Sequence, residues 1–163
     1  RFTYMDKLWA PWRINYIQKK AAAKCIFCHA KNTKATRAVV FTTRHSLCLL
    51  NIYPYNNGHL MVSPKRHCKT LGQLHDKEIM DLMKALIKAQ SLLDTVLKPH
   101  GYNIGINLSA CAGAGIPGHL HIHIVPRWKG DTNFMPVIHN TKIISQSLDE
   151  LYARLTHAYT KTD

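Results

Sequence analysis

Acidic side chains are scarce in this sequence. Asp and Glu number 9 against 22 Lys and Arg over 163 residues, which leaves a net charge of +13. That imbalance points to an anionic partner: nucleic acid, an anionic membrane or a polyphosphate ligand. What else is missing narrows the choice. There is no long Lys/Arg block, which weighs against nucleic acid. No apolar run is long enough to span a bilayer, and Arg1-Phe2-Thr3-Tyr4 has no signal-peptide character. A disulfide framework is also lacking. The cysteines are odd in number (Cys25, Cys28, Cys48, Cys68, Cys111), and the chain is long and aliphatic enough to stand without bridges. Reduced thiols in a cytoplasmic compartment are the expectation. Neither an internal repeat nor a linker interrupts the chain, so one domain is expected.

Hydrophobic patterning gives the elements. Residues 5–20 carry Leu8, Trp9, Trp12, Ile14, Tyr16 and Ile17 around Pro11, and read as a docked arm ending in a short helix. Residues 38–43, 46–52 and 59–63 read as strands, the last two separated by a turn cluster at Tyr53–Gly58. Apolar residues at three- and four-residue spacing predict a helix over 76–97, with Asp76 able to cap its start and Pro99 beyond its end. A strand follows at 102–108, then a small-residue loop at 109–118, a strand at 119–125 and a closing helix at 145–157. This order describes an α+β domain on an antiparallel sheet.

The stretch Gly118–Trp128, GHLHIHIVPRW, concentrates the chemistry. A strand alternates its side chains between two faces, so His119, His121 and His123 share one face while Leu120, Ile122 and Ile124 share the other. Three imidazoles on one face need three partners, which a merely polar surface would not supply. The preceding loop contains Gly113, Gly115 and Gly118, with Asn107 and Ser109 at its start. Glycine-rich backbone approaches a ligand closely and turns N–H groups toward an oxyanion. Loop donors beside a histidine row suit phosphoryl or nucleotidyl transfer, where catalysis is mostly positioning and charge stabilisation.

These residues resemble the histidine triad (HIT) family, whose hallmark is His-φ-His-φ-His-φ-φ with φ apolar. The match here is His119-Leu-His121-Ile-His123-Ile-Val, followed by Pro126-Arg127. Residues 47–67 look like the family's nucleoside-pocket strands. The stretch GAGIPGHLHIHIVPRWKGDTNFMPV looks like the microbial branch that includes diadenosine tetraphosphate phosphorylases, also called ATP adenylyltransferases. The resemblance implies one domain over residues 1–163: an N-terminal arm with the C-x-x-C (1–36), a core (37–127) and a C-terminal segment with a helix (128–163). It also implies a homodimer paired through the long helix and the 102–108 strand, with Trp9 and Trp12 in reach of the seam.

The roles follow residue by residue. His121 is the implied nucleophile on the α-phosphorus, giving an adenylyl-histidine. His123 is implied to orient it, and His119 completes the triad. Asn51 falls where the family binds ribose hydroxyls; Asn107, Ser109 and the backbone of Gly115 and Ile116 fall where it holds phosphates. Leu47, Leu49 and Leu60 are candidates to clamp the base. Arg127, Lys129 and the KGDTNF segment are candidates to hold inorganic phosphate.

Cys25-Ile-Phe-Cys28 is half a zinc site. Some triad proteins complete it with the histidine after SPK, here His67, and the first motif histidine, here His119; His29, Cys68 and His59 are possible substitutes. Structural zinc is therefore the expected cofactor. The expected reaction is cleavage of a nucleotide polyphosphate, with diadenosine tetraphosphate and inorganic phosphate giving ATP and ADP. Two rivals stand beside it. One is a hydrolase of dinucleoside polyphosphates or adenosine phosphoramidates that yields AMP. The other is a non-catalytic, zinc-bearing nucleotide- or nucleic-acid-binding module.

Overall fold

The computed structural model describes residues 25–32, 38–132 and 144–162. Five strands form one antiparallel sheet: β1 (Val39–Thr42), β2 (Ser46–Leu50), β3 (Leu60–Pro64), β4 (Gly101–Gly105) and β5 (Ile122–Arg127). Their spatial order is β1-β2-β3-β5-β4. The helices are α1 (Ile26–Asn32), α2 (Asp76–Leu97) and α3 (Leu148–Thr162). The arm expected at 5–20, with Trp9 and Trp12, lies outside the described residues.

Burial on both faces explains the near-continuous apolar runs of β2 and β3, all of whose residues are buried. On one face Cys48, Leu50, Leu60, Val62, Leu120, Ile122 and Ile124 pack with Leu82, Ala85, Leu86, Ala89 and Leu93 of α2 and with Leu151 and Leu155 of α3. On the other face Leu47, Leu49 and Met61 pack with Phe27 and Ala30 of α1. The expected division of the histidine stretch holds, since its Leu and Ile side chains sit in the helix-side core. Leu60 sits there too, so it does not share a face with Leu47 and Leu49.

Several boundaries differ from the sequence expectation, among them α3, which runs Leu148–Thr162 instead of 145–157, and β2, which ends at Leu50 instead of 52. The helix of α1, which starts just after Cys25 and contains Cys28, was not expected, because seven residues offer too little periodicity to see. Asp76 is the first residue of α2 rather than its cap. The cap is His75, whose backbone N–H donates to Glu78 Oε2 at 3.0 Å, and Arg66 holds that carboxylate from outside at 2.6 Å. β4 ends at Gly105 instead of 108. β5 starts at Ile122, leaving His119 and His121 ahead of it, and runs through Pro126 to Arg127. Proline is tolerated because β3 pairs with β5 only as far as Ile124, so among the described strands only β4 flanks Pro126.

One glycine is required by the packing that brings the turn after β2 onto β5. Gly58 has φ +76°, and a Cβ there would lie 2.5 Å from Leu97 Cδ1 and 3.0 Å from Pro126 Cγ. A left-handed alanine and an overfilled contact act together. Gly58→Ala should therefore lower the unfolding free energy by roughly 2–4 kcal/mol in denaturant titration; an unchanged midpoint would contradict this packing.

Candidate functional site

The site forms where β3, β5 and the segment ahead of β5 meet α1. Leu120 N–H donates to Cys68 O at 2.7 Å, and Ser63 Oγ donates to Leu120 O at 2.9 Å. These bonds hold the histidine stretch beside β3 although it is not yet strand. His119 is then fixed at both ring nitrogens. Its Nε2 lies 2.8 Å from Pro64 O, an acceptor, so Nε2 carries the proton. Its Nδ1, left with a lone pair, faces Cys25 Sγ at 3.1 Å and Cys28 Sγ at 3.6 Å.

His67 Nδ1 lies 3.2 Å from Cys28 Sγ. The four donor atoms of Cys25, Cys28, His67 and His119 all lie within 4.8 Å of one another. A tetrahedral zinc with its usual bond lengths has ligand–ligand edges of about 3.3–3.8 Å, so the donor type suits that ion and the separations of 3.1, 3.2 and 3.6 Å lie close to those edges. The substitute ligands do not join. Cys68 is buried in the helix-side core, His59 is engaged elsewhere, and His29 is exposed.

His121 is buried against the Phe27 ring, whose centroid is 5.0 Å from its own and also 5.0 Å from that of His119. Its Nδ1 lies 2.8 Å from His119 O. A carbonyl accepts only, so Nδ1 carries the proton and Nε2 keeps the lone pair. The His123 ring stands edge-on to His121, with centroids 4.8 Å apart.

Behind His123 lies a residue whose importance the sequence hid. His59 is fully buried, and its Nε2 is 2.9 Å from His123 Nδ1. Tyr55 N–H donates to His59 Nδ1 at 3.0 Å, and the Asn51 amide nitrogen is 3.2 Å from the same atom. Two donors facing Nδ1 leave it unprotonated. His59 therefore donates from Nε2 to His123 Nδ1, and the His123 proton sits on Nε2. The register Met61↔His123 brings β3 alongside this histidine. A lone histidine at the start of a strand carries no periodic signal; only strand pairing reveals it. Phe27, between the two cysteines, was hidden with the helix that carries it.

Burial depresses all these imidazoles. It pushes His59 down to about 3, with His123 and His121 adding charge repulsion. It pushes His123 to about 4, with His121 contributing. Burial also lowers His121 and His119, opposed in each by a bond to a backbone carbonyl. The site is thus a row of neutral imidazoles of defined tautomer.

The remaining candidates surround this row. Asn51 accepts Tyr53 N–H on its Oδ1 at 2.9 Å. Asn107 and Ser109 are half-buried beyond β4. Ser109 has φ +73°, a left-handed strain for a non-glycine, and its Oγ lies 2.9 Å from Cys111 Sγ. Cys111 is exposed. Gly115 is exposed, while Ile116 packs against the α1-side cluster. Arg127 is committed: Nε and Nη2 donate to Asp131 at 2.6 and 2.9 Å, and Nη1 to Asn103 Oδ1 at 2.7 Å. Among the described residues, no helix is long and apolar enough to cross a membrane.

The HIT domain model matches residues 32–130. The chain is 38% identical to a protein of Mycobacterium tuberculosis (strain ATCC 25618 / H37Rv) named AP-4-A phosphorylase, over 88% of this chain and 79% of that one. It is 36% identical to the asymmetrical bis(5'-nucleosyl)-tetraphosphatase of Schizosaccharomyces pombe, over 57% of this chain and 50% of that one. In fold it is similar to a Zn-bound histidine triad family protein from Mycobacterium smegmatis, with TM-score 0.68, 23% identity, and coverage of 86% of this chain and 96% of that one.

The depressed imidazoles carry a stability consequence. An ordinary histidine titrates near 6.5, whereas His59 and His123 do so at about 3 and about 4 in the folded chain. On acidification the unfolded chain binds protons first, so stability is intact above about pH 6.5 and is lost as pH falls toward 4. The melting temperature should drop between pH 7 and pH 5, and His59→Gln should drop less steeply from its own pH 7 value. Identical slopes would show that His59 is not held neutral.

Proposed function

The chain belongs to the HIT domain family, and on that premise we propose that it is an enzyme of nucleotidyl transfer, moving an adenylyl group from diadenosine tetraphosphate to inorganic phosphate through His121. The observation that carries this reading is the His119 carbonyl on His121 Nδ1 at 2.8 Å, which leaves the nucleophilic lone pair on Nε2. The relatives named for diadenosine tetraphosphate phosphorolysis and for tetraphosphatase activity support the substrate class.

The chemistry follows from these tautomers. His121 Nε2 attacks the α-phosphorus, forming a P–N bond as the P–O bond to the leaving ATP breaks. Nδ1–H stays on the His119 carbonyl, which stabilises the positive charge on the adenylylated ring. His123, oriented by His59, offers its Nε2–H to phosphoryl oxygen. A phosphate oxygen then attacks the same phosphorus, the P–N bond breaks, and ADP leaves with His121 restored. Asn51 serves the ribose hydroxyls, and the buried cluster of Phe27, Leu49 and Met61 backs the base side of the site. Asn107, Ser109 and the backbone of Gly115 and Ile116 hold the phosphates. His119, with both ring nitrogens committed, positions His121 through its carbonyl and is not a proton donor. Arg127 is tied to Asp131, so the loop is the better candidate to hold the incoming phosphate.

Zinc on Cys25, Cys28, His67 and His119 would cross-link α1 to the segment ahead of β5 and so seat Phe27 over His121. Two copies of the chain would pair through β4, which has one strand neighbour, and through the exposed apolar residues Met80, Met83 and Ile87 of α2. The +13 charge suits recruitment of a polyanion into the cytoplasmic enzyme. A binding module without turnover would share that charge but would have no use for the buried His59–His123 pair.

The decisive measurement is product analysis from diadenosine tetraphosphate at millimolar phosphate. ATP with ADP is expected; ATP with AMP would make the enzyme a hydrolase. His121→Ala should lower turnover by more than about 10³-fold while changing nucleotide affinity only a few-fold, and undiminished turnover would remove the nucleophile.

Elemental analysis should find one zinc per chain from the four-ligand set. Cys25→Ser should lower Tm by roughly 5 °C or more and turnover by less. Metal-free protein with an unshifted Tm in Cys25→Ser would abolish the site.

A further inference from the structure

The histidine row continues along β5 into a cleft that the transfer reaction above leaves unused. Strand alternation puts Val125 and Arg127 on the face of His121 and His123, each about 7 Å beyond the last. Beside them lies an open cleft of about 320 Å³ lined by Tyr55, Asn56, Asn103, Val125, Arg127 and Thr132. That volume is at the lower end of small-molecule sites, roughly 300–1,000 Å³.

Its walls are set up for a flat, neutral, hydrogen-bonding group. The Arg127 charge is neutralised by Asp131, itself held by Asn56 Nδ2 at 2.8 Å. Asn56 also donates to Pro126 O at 3.0 Å and is buried, so the cleft is built on a fixed polar web. A phosphate would meet a cation already paired with a carboxylate. A nucleobase would meet an aromatic ring, a planar guanidinium, the Asn103 amide group and the Thr132 hydroxyl. Such surfaces stack and hydrogen-bond heteroaromatic rings.

Position gives the cleft its meaning. Phe27 lies 5.0 Å from the rings of His119 and His121, at one end of the row. Tyr55, 44% exposed, lies 5.7 Å from the ring of His123, at the other end. The Phe27 ring is fully buried, so of the two it is Tyr55 that a base can reach, on the side of His123 away from α1. A dinucleoside polyphosphate has a base at each end of its phosphate chain.

We propose that the cleft of Tyr55, Asn103, Val125, Arg127 and Thr132 binds the second nucleoside of a dinucleoside polyphosphate, the one that departs with the leaving group. The inference rests on the transfer reading above and adds to it a basis for choosing dinucleotides over mononucleotides.

The test compares diadenosine tetraphosphate with adenosine 5'-tetraphosphate, which delivers the same adenylyl group but leaves as triphosphate without a nucleoside. The proposal expects wild-type kcat/KM to favour the dinucleotide by about tenfold or more, the value of one base stack. Asn103→Trp and Asn103→Phe fill the cleft from its β4 wall with two different rings. Each should remove that preference by lowering kcat/KM for the dinucleotide, with adenosine tetraphosphate unchanged within about twofold. The mononucleotide rate reports folding in the same assay. Equal kcat/KM for both substrates in the wild type, or equal losses on both in the two variants, would overturn the cleft's role and leave the transfer reading intact. No turnover of either substrate by the wild type would overturn the transfer reading and the cleft with it.

Discussion

The site depends on how the chain is held at His119. This residue ends the loop, precedes β5, and is bonded at three points. Pro64 O takes its Nε2 proton, the two thiols face its Nδ1, and its own carbonyl takes the Nδ1 proton of His121. Each bond recruits a different part of the molecule: the end of β3, the start of α1, and the central histidine. A rotation of His119 would therefore move Phe27 and change the tautomer of His121 together. The Cys/His cluster and the proposed nucleophile therefore sit two residues apart. The first histidine acts by fixing geometry, which a catalytic group requires to within a fraction of an ångström.

The electrostatics divide between surface and site. The chain carries +13, yet around the reaction centre the histidines are neutral and Arg127 is paired with Asp131. Buried cations beside one another would be costly, and burial resolves this by lowering the imidazole pKa values. Surface charge can then draw in a polyanion over a Debye length, while oriented donors hold it at close range. Neutral histidines are also the form in which one nitrogen is a nucleophile and the other a donor. The cost appears elsewhere: buried polar groups, and a left-handed Ser109 at the mouth of the loop.

The sequence carried the face assignment because period-two alternation survives even where His119 and His121 lie outside regular strand. It carried α2 because 22 residues of helix give several turns of pattern. The zinc ligand set came from resemblance, since a single C-x-x-C leaves its partners open, and the geometry brings the same four residues together. The pairing of His59 with His123 was not legible. It depends on the register of β3 against β5, and nothing local at Asn57-Gly58-His59 distinguishes a buried relay from a solvated turn residue. The α1 helix was lost for a related reason: its two buried apolar residues, Phe27 and Ala30, are too few to show a period. Arg127 looked like a free cation because its neutralising Asp131 lies across a turn.

That neutralisation bears on how such an enzyme would separate phosphate from water. In a double displacement the acceptor enters from the side the leaving group vacated, so the incoming phosphate must occupy part of the leaving triphosphate's position. Arg127, held by Asp131 and Asn103, is not a free cation for that position. On that reading discrimination falls to donors whose direction is set by the loop between Asn107 and Gly118, which Ile116 anchors on the α1 cluster. An anion bound by directed N–H and O–H groups is held against water by geometry more than by charge. On the proposed reading, the choice between phosphorolysis and hydrolysis would be a property of the loop's conformation, and that loop leads into His119, whose carbonyl sets the tautomer of His121.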